Sequence, residues 1–126
     1  MLTVTKRFRF CYSHTLPGHK GKCCNLHGHN CLLEISIEDI IGYPKAAYPG
    51  MVMDFGDLKK AVNPLIEKLD HQHLNDVLPE VFLPATAENL CLFFLHELNK
   101  VQDLHGRICK IKVWETDDSY AEWRRE

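Results

Sequence analysis

The chain opens on a strict alternation. From residue 2 to 13, Val4, Phe8, Phe10 and Tyr12 fall on one side of an extended segment, with Lys6 interrupting. Thr3, Thr5, Arg7, Arg9, Cys11 and Ser13 fall on the other. This period of two predicts a strand with one apolar face, and His14 closes it on the aromatic side. Residues 17–22 carry a proline, two glycines and no period, so they read as a loop. A second strand is predicted from about His27 to Ile40. His27, His29, Cys31, Leu33, Ile35 and Ile37 share one face, and Gly28, Asn30, Leu32, Glu34, Ser36 and Glu38 the other. The two histidines therefore stand at the rim of a surface that continues apolar.

The period then changes. After a connecting loop from Gly42 to Gly50 and a short extended piece at 51–55, Leu58, Val62, Leu65 and Leu69 recur at helical spacing. Asp54 suits the N-cap, and Asp57 meets the positive end of the helix dipole. Pro64 conflicts with one unbroken helix and should kink or divide it. Pro79 and Pro84 break the chain again. Thr86 can cap a second helix over 87–102, with Glu88 in its first turn and Leu90, Phe93, Phe94, Leu98 and Val101 as its apolar stripe. A third strand over 107–115 puts Cys109, Ile111, Val113 and Glu115 on one face, and Ile108, Lys110, Lys112 and Trp114 on the other. A turn at 117–119 leads to a last strand over 120–124. The order ββααββ predicts an α+β fold: an antiparallel four-stranded sheet with both helices on one face.

Composition narrows the function classes. The 126 residues suit one domain, 1–126. A net charge of −2 and scattered basic residues give no field for nucleic acid. No apolar run approaches the roughly 20 residues of a membrane span, and the first residues lack the apolar core of a signal peptide. These features predict a cytoplasmic protein whose six cysteines are thiols.

The chemistry concentrates around Cys23-Cys24-Asn25-Leu26-His27-Gly28-His29. Residues two apart on a strand point the same way, so His27 and His29 aim together. With His14 they make three neutral imidazoles and leave a fourth tetrahedral position open, which is the pattern of a catalytic zinc. Neither Cys23 nor Cys24 has the C-x-x-C partner of a structural zinc site. Near Lys20, Lys22 and a metal, either thiol could serve as a base or nucleophile, and spacing leaves both open. Cys91 and Cys109 read as small core residues. Asp70-His71 suggests a carboxylate that orients an imidazole, but neighbours in sequence rarely pair directly, so one is expected to reach another group. Glu115 continues an apolar strand face, and its natural partner there is a planar N–H fork.

Six stretches, in order, resemble one family. Phe8-Arg9-Phe10 with His14-Thr15-Leu16, Cys23 to His29, and Gly50-Met51-Val52-Met53-Asp54-Phe55 with Asp57-Leu58-Lys59 are three. Leu69-Asp70-His71 with Leu74-Asn75, Thr86-Ala87-Glu88-Asn89-Leu90, and Glu115-Thr116 with Ser119 and Ala121 are the others. Together they resemble the 6-pyruvoyltetrahydropterin and 6-carboxytetrahydropterin synthases. The resemblance implies the tunnelling fold, in which the sheets of three protomers join into a barrel and two trimers stack as a homohexamer with active sites between subunits. It implies one Zn2+ per chain on His14, His27 and His29, with Cys23 rather than Cys24 as the proton-abstracting thiol. His71, with Asp70, would be the proton relay. Glu115 would hold the pterin ring, and Thr86 and Glu88 would line its pocket. Three residues between Cys23 and His27 resemble the queuosine-route enzymes, and Asn25 and Leu26 stand where folate-pathway relatives carry a glutamate. The implied substrate is 7,8-dihydroneopterin triphosphate, and the implied products are 6-carboxy-5,6,7,8-tetrahydropterin, acetaldehyde and triphosphate. The competing expectations are triphosphate elimination without carbon–carbon cleavage, and a zinc-stabilised pterin-binding module without chemistry. Tyr12 and Cys31 depart from the family's usual residues beside the histidines.

Overall fold

The computed structural model describes residues 1–39 and 50–126. The expected loop after Gly42 falls, up to residue 49, outside the described residues, as does Ile40. Strand β1 (Leu2–His14) and strand β2 (His27–Asp39) form a long antiparallel pair. Helix α1 (Phe55–Leu69) follows, then a two-residue strand β3 (Gln72–His73), a single helical turn α2 (Leu74–Val77) and helix α3 (Ala87–Leu98). Strands β4 (Ile108–Thr116) and β5 (Ser119–Arg124) close the chain as a hairpin.

The sheet order is β3-β1-β2-β4-β5, so the sheet has five strands rather than the expected four. The additional strand is β3, which runs parallel to β1 with Tyr12 opposite Gln72 and Ser13 opposite His73. Two polar residues carry no readable period, and only the neighbouring edge makes them a strand. The predicted β1, β2, β4 and β5 and both principal helices are otherwise present.

Both helices lie on the apolar face. Phe8, Phe10, Tyr12, Leu33, Ile35, Ile37, Ile111 and Val113 from the sheet meet Leu58, Val62, Leu65 and Leu69 of α1 and Leu90, Phe93, Phe94 and Leu98 of α3, all buried. Asp54 caps α1 by accepting from the N–H groups of Gly56 and Asp57 at 2.7 and 3.2 Å. Thr86 caps α3 by accepting from the Asn89 N–H at 3.1 Å.

Three expectations are corrected. Pro64 does not divide helix α1, because the packed stripe outweighs the one backbone bond that proline removes. Helix α3 ends at Leu98, not 102, and tighter turns follow in which Lys100 and Val101 donate to carbonyls three residues back. In β4 the register against β2 slips between Ser36 and Ile37: Lys110 faces Ser36, but Ile108 faces Ile37. This bulge at Cys109 turns Ile108 into the core, fully buried, and leaves Cys109 only half-buried rather than a core residue.

Candidate metal centre and its surroundings

The β1–β2 register assembles the three imidazoles. His14 stands directly opposite His27, and Tyr12 opposite His29. Side chains of paired residues share a face, so the expected trio converges at the open end of the hairpin. The Nε2 atoms of His14 and His27 are 2.8 Å apart, and those of His14 and His29 are 3.1 Å apart. The three candidate ligand atoms all lie within 4.8 Å of one another.

The protons make this approach informative. His14 Nδ1 is 2.7 Å from the Ala85 carbonyl, and His27 Nδ1 is 2.7 Å from the Asn25 carbonyl. A carbonyl only accepts, so each Nδ1 carries the hydrogen and each neutral ring turns a bare lone pair inward. Two lone pairs at 2.8 Å repel unless a cation lies between them. Nitrogen ligands of a tetrahedral zinc stand about 3.3 Å apart, which follows from bonds near 2.0–2.1 Å. Outer carbonyls that fix the tautomer are the usual support of a metal-bound histidine. His14 is buried and the other two are half-buried. Burial, above all, pushes the His14 imidazole below its ordinary pKa, so it stays the neutral ligand form. Three such nitrogens fit a metal ion, and a set made only of imidazoles suits zinc.

Glu115 joins this side of the sheet. The β4–β5 register slips between Trp114 and Thr116, which leaves Glu115 at a bulge. As its alternation with Ile111 and Val113 predicts, it lies on the face of Tyr12, Cys31 and His14, on all of which its charge acts. Tyr12 packs its ring against His14 and His29, with centroids 5.2 and 5.6 Å apart. Burial first, and the Glu115 charge second, push the Tyr12 phenol far above its ordinary value. Cys31, 2% exposed, is pushed up to about 12 by the same two causes.

Asp70 and His71 take a different place. The Cys11 N–H donates to Asp70 Oδ1 at 2.9 Å, and the His71 N–H donates to the Cys11 carbonyl at 2.7 Å. Both residues are thus hooked onto the edge of β1 that β3 goes on to pair with. His71 adopts φ of +60°, uncommon outside glycine, to make that turn. Asp70 thus reaches another group, as expected, and it also meets its neighbour directly, with His71 Nδ1 3.0 Å from Asp70 Oδ1. The Cys11 N–H, with His71 adding to it, holds the Asp70 carboxyl below the usual range. His71 is 80% exposed and borders a cleft of about 690 Å³ shared with Arg7, Arg9, Cys11, Asn30 and Trp114. None of the three metal-site histidines, nor Cys23, lines that cleft.

Cys23 sits half-buried in a short 3-10 turn, Lys22–Cys24, just before β2, and its carbonyl accepts from the Leu16 N–H at 2.9 Å. Cys24 is exposed. Thr86 follows Ala85, whose carbonyl holds His14, so the α3 cap and the metal site share one loop. Glu88 borders a separate groove between α3 and β5, beside Cys91, Leu92, Tyr120 and Trp123.

Some supports had no sequence signal. The Ala85 and Asn25 carbonyls are backbone groups. Asn75 clamps the residue after His14: it accepts from the Thr15 N–H and donates to the Thr15 carbonyl, both at 3.0 Å. Its place after Leu69-Asp70-His71 marked it as part of a motif, not as a clamp on β1.

The model of the 6-pyruvoyl tetrahydropterin synthase family matches residues 3–126. The 6-carboxy-5,6,7,8-tetrahydropterin synthase of Haemophilus influenzae is 34% identical, over 98% of this chain and 99% of that protein. The 6-pyruvoyl tetrahydrobiopterin synthase of Dictyostelium discoideum is 32% identical, over 98% and 96%. Among solved structures, the 6-pyruvoyl tetrahydropterin synthase of Caenorhabditis elegans superposes with a TM-score of 0.84 over 99% of this chain and 96% of that one, at 24% identity, a likeness of fold.

Proposed function

This chain belongs to the 6-pyruvoyl tetrahydropterin synthase family, and on that premise we propose that it is a zinc-dependent lyase acting on 7,8-dihydroneopterin triphosphate. With one water consumed, the products are 6-carboxy-5,6,7,8-tetrahydropterin, acetaldehyde and triphosphate, a step toward queuosine precursors in the cytoplasm. The observation that carries the reading is the convergence of three Nε2 atoms with two Nδ1 protons pinned to carbonyls.

Zinc held by His14, His27 and His29 would supply a Lewis acid for two hydroxyls of the substrate's side chain. Cys23 takes a proton from the carbon chain beside those hydroxyls, and the Asp70–His71 pair carries protons to and from it. Glu115 accepts the N–H fork of the pterin ring, which fixes the side chain against the metal end. Thr86, next to the Ala85 carbonyl that holds His14, lines the ring pocket, whereas Glu88 borders the separate groove between α3 and β5. His19, Lys20 and Lys22, in the loop ahead of β2, meet the triphosphate. His71 borders a cleft apart from Cys23, which favours active sites completed between subunits of a barrel-forming trimer, two of which make a hexamer. Residues 1–126 act as one synthase domain.

The relatives carry both product names, so a second reading is triphosphate elimination without carbon–carbon cleavage. Incubation of the zinc-loaded protein with dihydroneopterin triphosphate separates them. Acetaldehyde released in step with triphosphate is the expected result. Triphosphate alone would establish the pyruvoyl reaction, and release of neither would leave a pterin-binding module.

A further inference from the structure

Tyr12 is the aromatic wall between the imidazoles and Glu115. It lies on the apolar face of β1, directly across from His29, and is 3% exposed. Its ring has reason enough to be there, since it packs on Phe10, His14 and His29. A phenylalanine would pack as well. The hydroxyl is what the core does not explain: it is buried and has no hydrogen-bond partner among the described residues. A donor left in that state costs free energy, so such groups in native proteins have a use.

The surroundings name the acceptor. Continuing the β2–β4 register from Leu32–Trp114 by one residue sets Glu115 across from Cys31, which is the diagonal neighbour of Tyr12 on the same face. The bulge between Trp114 and Thr116 frees the Glu115 side chain from the regular pleat. Cys31 is a poor acceptor, whereas a carboxylate offers four lone-pair positions. The Glu115 carboxylate acts on the phenol both through its charge and as a hydrogen-bond acceptor, yet no contact of the hydroxyl meets full hydrogen-bond geometry.

We propose that Tyr12 is a positioning residue for Glu115: its O–H donates to one carboxylate oxygen when the ring is bound and holds the carboxylate in the plane of the ring's N–H fork. Tyrosine donates along one lone pair and leaves the others for the ring, so the two contacts do not compete. This inference rests on Glu115 being the ring anchor.

A double-mutant cycle on the zinc-loaded protein tests it, with Tyr12→Phe, Glu115→Gln and the pair. Three quantities are read: the Kd of unsubstituted pterin by fluorescence, kcat and KM for dihydroneopterin triphosphate, and zinc content. Tyr12→Phe is expected to weaken pterin binding and raise KM about tenfold, the value of one hydrogen bond to a charged group. kcat should stay within about twofold and zinc at about one per chain. In the Glu115→Gln background the same change should do almost nothing. Equal losses in both backgrounds, or no loss in either, overturn the inference. If Glu115→Gln weakens pterin binding and Tyr12→Phe does not, only the role of Tyr12 falls. If Glu115→Gln itself leaves binding unchanged, the ring-anchor reading falls and this inference with it. Tyr12→Phe should also keep or raise the Tm of the unliganded protein, because it deletes an unpartnered hydroxyl. A clear drop would mean the hydroxyl is already spent on a structural bond and would overturn the inference too.

Discussion

Cys23 and Cys24 are adjacent, and their surroundings differ more than their sequence position suggests. Cys23 is half-buried, and Cys24 is exposed. Cys23→Ala should keep about one zinc per chain, since three imidazoles suffice to hold it, and should lose turnover. Cys24→Ala should remain active. Parallel metal analysis and product assay check this, and the reverse pattern would exchange the two roles. His27→Ala removes the ring whose Nε2 lies 2.8 Å from that of His14, so zinc content should fall well below one. Full occupancy in that variant would count against the trio. Far from the metal, Glu34 shows how a buried carboxylate is kept. Burial alone would raise its pKa, but Trp114 Nε1 at 2.6 Å and Arg7 Nε at 3.3 Å outweigh it and hold the group below its ordinary value. A lowered folded pKa means stability that is complete above the unfolded value and is lost as pH falls through the folded one. Urea midpoints of wild type should therefore drop more steeply than those of Glu34→Gln from about pH 4.3 downward. Parallel curves would show the carboxylate contributes nothing.

The elements show where local preference yields to packing. Proline in a helix interior costs up to about 3 kcal/mol relative to alanine, less the entropy it removes from the unfolded chain. Helix α1 tolerates Pro64 because Leu58, Val62, Leu65 and Leu69 are buried against the sheet. Pro64→Ala should therefore stabilise the protein by roughly 1–2 kcal/mol, read as a higher Tm. An unchanged Tm would mean that the ring's packing offsets the missing bond. The alternating faces of β1 and β2 were legible because one side is apolar and the pairing register is then nearly forced. The two β4 bulges were not legible. Nothing in Ile108-Cys109-Lys110 or Trp114-Glu115-Thr116 announces an extra residue, and only the partners β2 and β5 fix it. One bulge moves Ile108 into the core, and the other leaves Glu115 without a direct partner on β5.

On the scale of the molecule, the sheet divides the chemistry. The imidazoles, Tyr12 and Glu115 lie with the apolar face, while His71 borders the cleft with Arg7, Arg9 and Trp114. A histidine that borders a cleft its working cysteine does not line suits sites shared by neighbouring chains. Cys23→Ala and His71→Ala, each inactive alone, should then complement when unfolded and refolded together. Random assembly leaves about a quarter of the shared sites intact, so about that share of wild-type turnover is expected. A mixture as inactive as its parts would place both residues in one chain's site.

The sequence by itself determined the faces of β1 and β2, the helix caps at Asp54 and Thr86, the main core stripes and the three histidines, because each follows from a short-range period or from side-chain chemistry. Only the tertiary structure decided that β1 and β2 pair with His14 opposite His27, that the Ala85 and Asn25 carbonyls fix the tautomers, and that Asp70 and His71 hook onto β1 through Cys11. It also decided that the Tyr12 hydroxyl is buried facing the Glu115 carboxylate without a contact of full hydrogen-bond geometry. These depend on backbone groups and on residues distant in the chain, which carry no local signal until the sheet brings them together.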